Sequence, residues 1–556
     1  MSSSARSPLD LAKPIPWLST TAEDLGKTSP QLPAVIAVLL ALGLVLRLAI
    51  AWAPLEWLLR TVLADDSFYY FTIARNFAHG YGFSFDTLAE TNGFHPLWVV
   101  VLLPIYSLME ERTLAIHAAL TVSALLDAGS VLLLFKLLGE IRTAMFARTV
   151  AVGLYALTPV LLSHAGPMNG METSLNVFLI FAYLRQYWTI VSRECFDNRA
   201  ALHLGILAGL LMLARTDNSV LVAFTWLFLP LFCPSEKKVT HRSILIMLVS
   251  AFVVTSPWLL WSLLRFGTIV QVSGVSVPFM VKLEIHQQGW SRVDYVIQFV
   301  KNLANTITFF PAYLFETRTL SLPGLIIALT MLIPLVALLR RKRERTGLPR
   351  GVTANVHFIL LGSAVLFVLV HTLRAVYMRG WYYLSLFPIL LICSARLLHC
   401  LLENGPRRKV RWLTLISLVM VFVLSVPTLF KSRHGEIDKF RMVQAMNSTL
   451  PDGTRVGSGN AGVYGYFFER GIVVGLDGLV NNNAYESIKK RDLEGYCRMA
   501  GITHLVDPVG AFERTAWYWN EEQSSPLTTM DVIHRESGKA PTDTIALGLL
   551  RYTTTP

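Results

Sequence analysis

Long apolar runs separated by short basic loops fill the sequence from residue 32 to residue 430, and they constrain the fold more than any other feature. Of the 556 residues, 53% are hydrophobic and 15% are charged, whereas an average soluble domain carries about 25% charged residues. The sequence therefore predicts a polytopic α-helical membrane domain over residues 32–430, with about eleven transmembrane helices. The predicted spans are Leu32–Trp52, Leu114–Leu138, Thr149–Ser163, Ser174–Ile190, Leu202–Leu213, Ser219–Phe232, Ile244–Leu264, Leu322–Leu339, Asn355–Leu373, Trp381–Leu397 and Trp412–Leu429.

The distribution of charge predicts how the chain is oriented. The net charge is +12, but the basic residues cluster in short loops, a pattern typical of topology-setting charge rather than of nucleic-acid binding. All these loops lie on the side of the N-terminus if Phe94–Met109, a short apolar segment with two prolines, dips into the membrane without crossing it. We therefore predict a multi-pass cell-membrane protein with a cytoplasmic N-terminus, an extracytoplasmic C-terminal domain and no nucleic-acid partner.

Two further features lie at the start of the chain. Residues 1–31 are polar and rich in Ser and Pro, which predicts a disordered cytoplasmic tail. Arg47 interrupts the first span near its outer end. Its charge either snorkels to the interface or faces a substrate cavity.

The first outer loop, residues 53–113, opens with the adjacent acids Asp65 and Asp66. Tyr70–His79 follows with aromatic and polar residues at helical spacing, which predicts an amphipathic helix in the plane of the membrane interface. Neighbouring carboxylates near lipid repel each other, so the pKa of one rises and it becomes a better general base for a hydroxyl. The structural alternative is that Asp66 caps the helix that follows.

Other charged residues lie at the predicted outer ends of the spans. Polar residues gathered on one face suit an outward-facing enzyme better than a transporter, which would carry them near the membrane midplane. Glu172 either caps the next helix or completes an acidic site with Asp65. Arg215 and Asp217 form either an interfacial ion pair or a part of the same site.

Cationic groups gather at the outer end of one late span, where the orientation predicts few positive charges. These residues are His371, Arg374 and Arg379. Together they are suited to neutralise a lipid phosphate.

The tail, residues 431–556, has the composition of a soluble α/β domain. Its predicted strands are Thr454–Val456, Gly471–Val474, Ile502–Val506 and Thr544–Leu550. Its predicted helices are Ile437–Ser448 and Ile488–Met499. Gly457–Gly462 has the spacing of a dinucleotide-binding loop. Because we predict no helix at Val463–Phe468, we interpret it as a glycine-rich turn. Trp517, Tyr518 and Trp519 either stack on a glycan or pack in the core.

Several motifs resemble the GT-C superfamily of polytopic glycosyltransferases that use polyprenyl-phosphate sugars. The run Asp65–Trp98, with its Asp-Asp pair and its His95-Pro96 turn, resembles bacterial relatives of protein mannosyltransferases and the mycobacterial terminal arabinofuranosyltransferase. Shorter similarities are GMETSL at Gly170–Leu175, GWYY at Gly380–Tyr383 and VGLDGLVNNNAY at Val474–Tyr485. The resemblance implies a GT-C-like catalytic domain over residues 32–430.

The same resemblance implies roles for individual residues. Asp65, with Asp66 beside it, is expected to deprotonate an acceptor hydroxyl, which attacks the sugar with inversion while lipid phosphate departs. The residues expected to bind the donor phosphate are Arg374, Arg379 and His371. Those expected to bind substrate are Glu172, Arg215, Asp217, His95 and Tyr382.

The resemblance also implies the partners. These are a polyprenyl-phosphate sugar, the bilayer, and a glycan, lipid or protein acceptor of the cell envelope. No cofactor is expected to be obligatory. A divalent cation remains an option at Asp66 and Glu172, because these positions bind a metal in some members and orient the sugar in others.

Two alternatives from other classes remain open. One is a transporter or flippase for lipid-linked sugars, in which Asp65→Asn is tolerated. The other is a non-catalytic subunit of an envelope-glycan assembly complex, in which the tail is the docking module.

Overall fold

The computed structural model of the protein describes residues 33–164, 166–192, 197–232, 240–315, 352–426, 435–538 and 540–552. The predicted disordered tail, residues 1–31, and the predicted span Leu322–Leu339 lie outside these residues. Within the described ranges, the membrane domain contains helices α1 to α15. Their bounds are Ala34–Ala51, Leu55–Thr61, Asp65–Ala78, Pro96–Leu108, Arg112–Glu140, Met145–Leu157, Thr173–Ser192, Asn198–Ala214, Ser219–Phe232, His241–Phe266, Val272–Gln287, Arg292–Phe315, Val352–Ala375, Gly380–Asn404 and Arg407–Ser425.

Each predicted span within the described residues overlaps one of these helices. Of the described helices, 4 are long and apolar enough to cross a membrane, namely α1, α5, α10 and α14. Several others are apolar but shorter, and they include α4 with Pro104 inside it. The helical domain is therefore as apolar as predicted, although most of its helices are short.

The two long helices α11 and α12 of the membrane domain were not predicted. The first lies between the predicted spans Ile244–Leu264 and Leu322–Leu339, and it contains both Gly274 and Pro278. These residues have the lowest helix propensities, and Pro278 provides no N–H for the carbonyl of Gly274. Arg374 supplies the missing donor, because its Nη2 lies 2.7 Å from that carbonyl oxygen.

Arg47 is fully buried and holds three helices of the membrane domain together. Its guanidinium forms an ion pair with buried Asp127 on α5. It also donates to carbonyl oxygens of Gly43 on α1 and of Tyr155 and Ala156 on α6. Both predictions for Arg47 were wrong, since a cation satisfied on all sides neither snorkels nor faces a cavity.

The helix of the first loop, α3, begins at Asp65 and not after Asp66. The residue before it is Ala64, and no side chain caps this end, so the capping role predicted for Asp66 was wrong. The polar face expected on this helix is not exposed to solvent throughout, because Thr72 and Asn76 on it are buried. The Asn76 side chain donates to two backbone oxygens of the loop that follows.

The tail is an α/β domain with a five-stranded sheet in the order β2-β1-β3-β5-β4. Strands β1 to β3 are parallel, and β5 and β4 are added antiparallel. The strands β1 to β5 are Thr454–Ser458, Gly471–Gly475, His504–Pro508, Met530–Glu536 and Ile545–Leu550. The helices α16 to α20 are Gly435–Thr449, Gly462–Phe467, Asn482–Lys490, Leu493–Met499 and Val509–Trp519.

The prediction for the tail was correct for four strands and missed β4. That strand lies at the sheet edge and is mostly polar and partly exposed, so it lacks the apolar signal of a buried strand. The segment predicted as one helix, Ile488–Met499, covers the end of α18 and all of α19. The two helices are separate because Arg491 between them has a left-handed backbone with φ 58°. The prediction that no helix forms at Val463–Phe468 was also wrong, since α17 covers most of this segment.

The aromatic run of the tail belongs to its core. Tyr518 and Trp519 are buried at 7% and 1% exposure, and Trp517 packs against the same cluster. Of the two interpretations left open, core packing is therefore the one that applies to Tyr518 and Trp519.

The tail docks on the first loop of the membrane domain. Arg75 on α3 and Arg112 on α5 both donate to the backbone oxygen of Tyr466, at 3.0 and 2.8 Å. Gly93 approaches the tail so closely that a Cβ there would lie 1.8 Å from the oxygen of Leu479. The segments of the tail that follow β1 and β2 therefore pack against the first loop.

Candidate active site

Asp65 lies at the interface between the membrane domain and the tail. Its Oδ1 is 2.9 Å from Nζ of Lys439 on α16 and accepts a hydrogen bond of 3.1 Å from the backbone N–H of Val463. The side chains of Asp65 and Lys439 are only 14% and 10% exposed. The sequence analysis missed Lys439, because it lies more than 370 positions from Asp65 and carries no motif of its own.

Asp66 is the member of the pair whose pKa is raised. Burial and the neighbouring charge of Asp65 raise the pKa of the Asp66 carboxyl to about 6, against the opposing charges of Arg379 and Lys439. The sequence predicted that one of the two carboxyls would have a raised pKa without deciding which. The raised pKa thus belongs to Asp66, and Asp65 is the member of the pair that binds Lys439.

A chain of buried charges runs behind this pair. The Glu172 side chain is fully buried and its Oε1 lies 2.6 Å from Nη1 of Arg215. Arg215 also binds Asp217 through two nitrogens, with Nη2 2.7 Å from Oδ2. Nε2 of His371 lies 3.3 Å from the same oxygen of Asp217. The predicted ion pair of Arg215 and Asp217 is confirmed, and it is part of a longer network.

The charges in this chain stabilise one another. Burial would raise the pKa of Asp217, but the charge of Arg215 and the hydrogen bond from His371 hold it well below its ordinary value. At the other end, burial lowers the pKa of His95, whose Nε2 lies 3.9 Å from Glu172. The network thus presents the charges of Arg215 and Asp217, and burial disfavours the charged form of the His95 imidazole beside them.

Aromatic rings cover this network. Tyr382 lies over the Arg215 guanidinium at 5.1 Å and beside the His371 ring at 5.0 Å. His371 also stacks on Phe367 at 4.2 Å. The five residues predicted to bind substrate therefore gather at one place. These are His95, Glu172, Arg215, Asp217 and Tyr382, and His371 lies beside them.

The three groups predicted to bind phosphate make different contacts. His371 belongs to the buried network, and Arg379 is exposed near Asp66, whose pKa its charge lowers. Arg374 is exposed too, but it donates to the backbone of Gly274 at the break that Pro278 makes in α11. This contact gives Arg374 a structural role, and Arg379 has the better position for an anionic ligand.

The glycine-rich loop of the tail is filled by carboxylates. Asp507 at the end of β3 accepts hydrogen bonds from the Gly459 N–H at 2.6 Å and from the Ser458 and Asn460 side chains. The amide of Asn460 donates to the Ser458 hydroxyl, and that of Val463 donates to Asp65. Several of the amides that would hold a pyrophosphate in a dinucleotide site are therefore occupied, which agrees with its interpretation as a structural turn.

Two acids of the tail are buried beside the candidate site. Burial raises the pKa of Asp507 to about 6 and that of Asp477 to about 8. Asp477 accepts hydrogen bonds from the Leu479 N–H at 2.9 Å and from the Tyr69 hydroxyl on α3 at 3.3 Å. Asp477 lies within the run Val474–Tyr485 noted in the sequence, but neither Asp477 nor Asp507 was predicted to be part of the site.

The raised pKa of Asp477 predicts a pH dependence of stability. A carboxyl with a higher pKa in the folded state stabilises the fold fully at low pH, and this contribution is lost as the pH rises to about 8. Asp477→Asn keeps the shape without the charge. We expect the variant and the wild type to melt together at pH 4.5 and the variant to be more stable at pH 8, by a few kcal/mol at most.

Thermal unfolding of the full chain in detergent at both pH values measures this difference. Asp452→Asn is the matched control, because Asp452 is 85% exposed in the same domain. An equal pH dependence of Asp477→Asn and wild type would contradict the prediction.

Comparison with solved structures identifies the fold. ArnT from Cupriavidus metallidurans, bound to undecaprenyl phosphate, matches 92% of this chain and 97% of its own at 14% identity, with a TM-score of 0.54. The Archaeoglobus fulgidus oligosaccharyltransferase AglB, in complex with an inhibitory peptide and a dolichol-phosphate, matches 94% of this chain and 74% of its own at 13% identity, with a TM-score of 0.52. The same oligosaccharyltransferase with Zn and sulfate matches 88% of this chain and 70% of its own at 13% identity, with a TM-score of 0.53.

These neighbours are GT-C glycosyltransferases, so the predicted resemblance to that superfamily is confirmed at the level of the fold. No protein-family model matches the sequence, and no curated protein matches it significantly. The fold is therefore assigned from the structural comparison, and any chemistry has to be argued from the residues of this chain.

The zinc in one neighbour raises the question of a metal here. Among the described residues, no group of three or more His, Cys, Asp and Glu side chains has the arrangement of a metal site. Glu172, one of the two positions considered for a cation, is bound by the positively charged Arg215. The residues around Glu172 therefore suit a guanidinium and do not fit a metal ion.

Proposed function

We propose that the protein is a membrane glycosyltransferase that moves a sugar from a polyprenyl-phosphate donor to a hydroxyl of an envelope glycan, lipid or protein. The observation that carries this proposal is the juxtaposition of the Asp65–Asp66 pair with the charged network around Arg215, within a GT-C fold. Support for the donor class comes from the neighbours, of which ArnT is bound to undecaprenyl phosphate and AglB to a dolichol-phosphate. The sugar is a hexose or a pentose.

In the proposed reaction Asp65 takes the proton of the acceptor hydroxyl. The acceptor oxygen then bonds to the anomeric carbon while the bond from that carbon to the phosphate oxygen breaks, and the phosphate leaves with the electron pair. Attack opposite the leaving group inverts the anomeric centre. Since phosphate is already a competent leaving group, the protein mainly positions and neutralises it.

The remaining residues divide between donor phosphate and sugar. Arg379 is an exposed cation whose charge acts on Asp66, so we assign it, with His371, to the phosphate. Arg374 acts through the backbone of α11 that it supports. The sugar hydroxyls meet the polar groups of Glu172, Arg215, Asp217, His95 and Tyr382.

The proposed orientation follows from the basic loops. The N-terminus lies in the cytoplasm, and residues 32–430 form the catalytic membrane domain. Residues 431–556 form a domain outside it that covers the site. The protein resides in the cell membrane.

A transfer assay tests the proposal. Membranes containing the full chain, and matched membranes without it, are incubated with a panel of radiolabelled polyprenyl-phosphate sugars and envelope acceptors. We expect one sugar to be transferred, with free polyprenyl phosphate released in equal amount. Movement of intact donor across the membrane without release of lipid phosphate would support a flippase. No transfer and no movement, with the tail required for capture of an assembly partner, would support a non-catalytic subunit.

A further inference from the structure

We propose that Lys439 is a positioning residue for the transfer reaction, and that the C-terminal domain is therefore a part of the active site. This inference rests on the proposed function, because it assigns Lys439 to the base of that reaction. The tail would otherwise be a separate module that binds acceptors or partners. The contacts of Asp65 argue against such a separation.

Lys439 is held in the interface by the tail itself. Lys439 lies on α16 and is 8% exposed, and its Nζ lies 2.9 Å from Oδ1 of Asp65. The ring of Tyr464 lies 5.9 Å from the same nitrogen. Lysine is seldom buried unless it is paired, because the ammonium loses its hydration. The ammonium is stabilised first by the Asp65 carboxylate, and the charges of Glu436 and Asp507 add to this.

A second tail contact reaches the same atom. The N–H of Val463 donates to Oδ1 of Asp65 at 3.1 Å. This approach needs Gly462, since a Cβ there would lie 2.2 Å from the Asp65 backbone oxygen. Two different helices of the tail, α16 and α17, therefore converge on one oxygen of Asp65.

This arrangement fixes what the carboxylate presents to an acceptor. In the part of the chain that the structure describes, both side-chain contacts of Asp65 use Oδ1. Oδ2 is left to accept the hydroxyl proton, while the ammonium of Lys439 keeps its three protons throughout. Its charge also offsets the repulsion between Asp65 and Asp66. A misplacement of about 1 Å at a reacting group costs roughly a hundredfold in rate.

The test compares four variants of the full chain: Lys439→Met, Lys439→Arg, Lys489→Met and Asp65→Asn. Lys489 is the matched control, a partly exposed tail lysine paired with Glu486. For Lys439→Met we expect kcat to fall about a hundredfold, with the KM for the donor little changed. Lys439→Arg should recover most of this loss, because arginine restores the charge. Lys489→Met should behave as wild type.

Resistance of the tail to limited proteolysis separates positioning from docking. Loss of kcat in Lys439→Met with the tail still protected supports the inference. It is overturned by a wild-type kcat in Lys439→Met, or by equal losses in the Met and Arg variants with an unprotected tail, since Lys439 would then be only a latch.

The outcomes also separate this inference from the proposed function. If Asp65→Asn is inactive while Lys439→Met is fully active, only the role of Lys439 is wrong. If Asp65→Asn transfers sugar normally, or if wild type transfers none, the proposed reaction fails and the role of Lys439 fails with it.

Discussion

Replacing Asp65 by Asn is expected to lower the rate of sugar transfer by about a hundredfold or more, because a general base contributes 10²–10⁴-fold to the rate. The carboxamide oxygen still accepts the hydrogen bonds from Val463 and Lys439, so the shape of the interface is preserved. What is lost is the ability to take a proton from the acceptor hydroxyl. Initial rates with the donor identified in the panel, in membranes of equal expression, measure the effect.

Two further variants accompany this measurement. Asp531→Asn is the control, because Asp531 is 45% exposed on the tail, where it pairs with Arg551. Asp66→Asn tests the neighbouring acid, whose pKa is raised to about 6. A near-normal rate in Asp65→Asn with an inactive Asp66→Asn would transfer the role of base to Asp66. Near-normal rates in both would contradict carboxylate base catalysis at this pair.

Much of the site could be predicted because of where the membrane places polar residues. Charged side chains are costly among apolar helices, so Glu172, Arg215, Asp217 and His371 stood out as exceptions at the ends of spans. Their pairing was not predictable beyond the local Arg215–Asp217 contact. Glu172 and Arg215 lie on segments 43 residues apart, and only helix packing brings them within 2.6 Å.

The contributions of the tail could not be predicted for a similar reason. Lys439 and Asp507 have no local pattern that marks them, because their significance arises only when the tail docks on α3. The glycine loop carried a signal, but its spacing suggested a phosphate where the fold places carboxylates from Asp507 and Asp65. Local sequence thus predicted most strands and helices, and it failed where long-range contacts override propensity, as at Pro278 in α11.

The largest stability effect is expected for Arg47→Met in the membrane domain. This change leaves Asp127 buried without its cation, and breaking a buried pair on one side costs about 3 to 5 kcal/mol. It also removes the donors to the carbonyl oxygens of Tyr155 and Ala156, which join α1 to α6, and to that of Gly43 within α1. We expect a large fall in the thermal unfolding midpoint of the detergent-solubilised protein, with transfer activity lost in proportion to the unfolded fraction.

The double variant Arg47→Met/Asp127→Asn decides whether the ion pair itself is responsible. With both charges removed, the desolvation cost of the lone carboxylate disappears, so most of the lost stability should return. Lys136→Met is the control, because Lys136 is an exposed cation on the same helix as Asp127. If the double variant were no more stable than Arg47→Met, the loss would come from the hydrogen bonds and packing of Arg47. If Arg47→Met remained as stable as wild type but inactive, the guanidinium would act on substrate, contrary to its full burial.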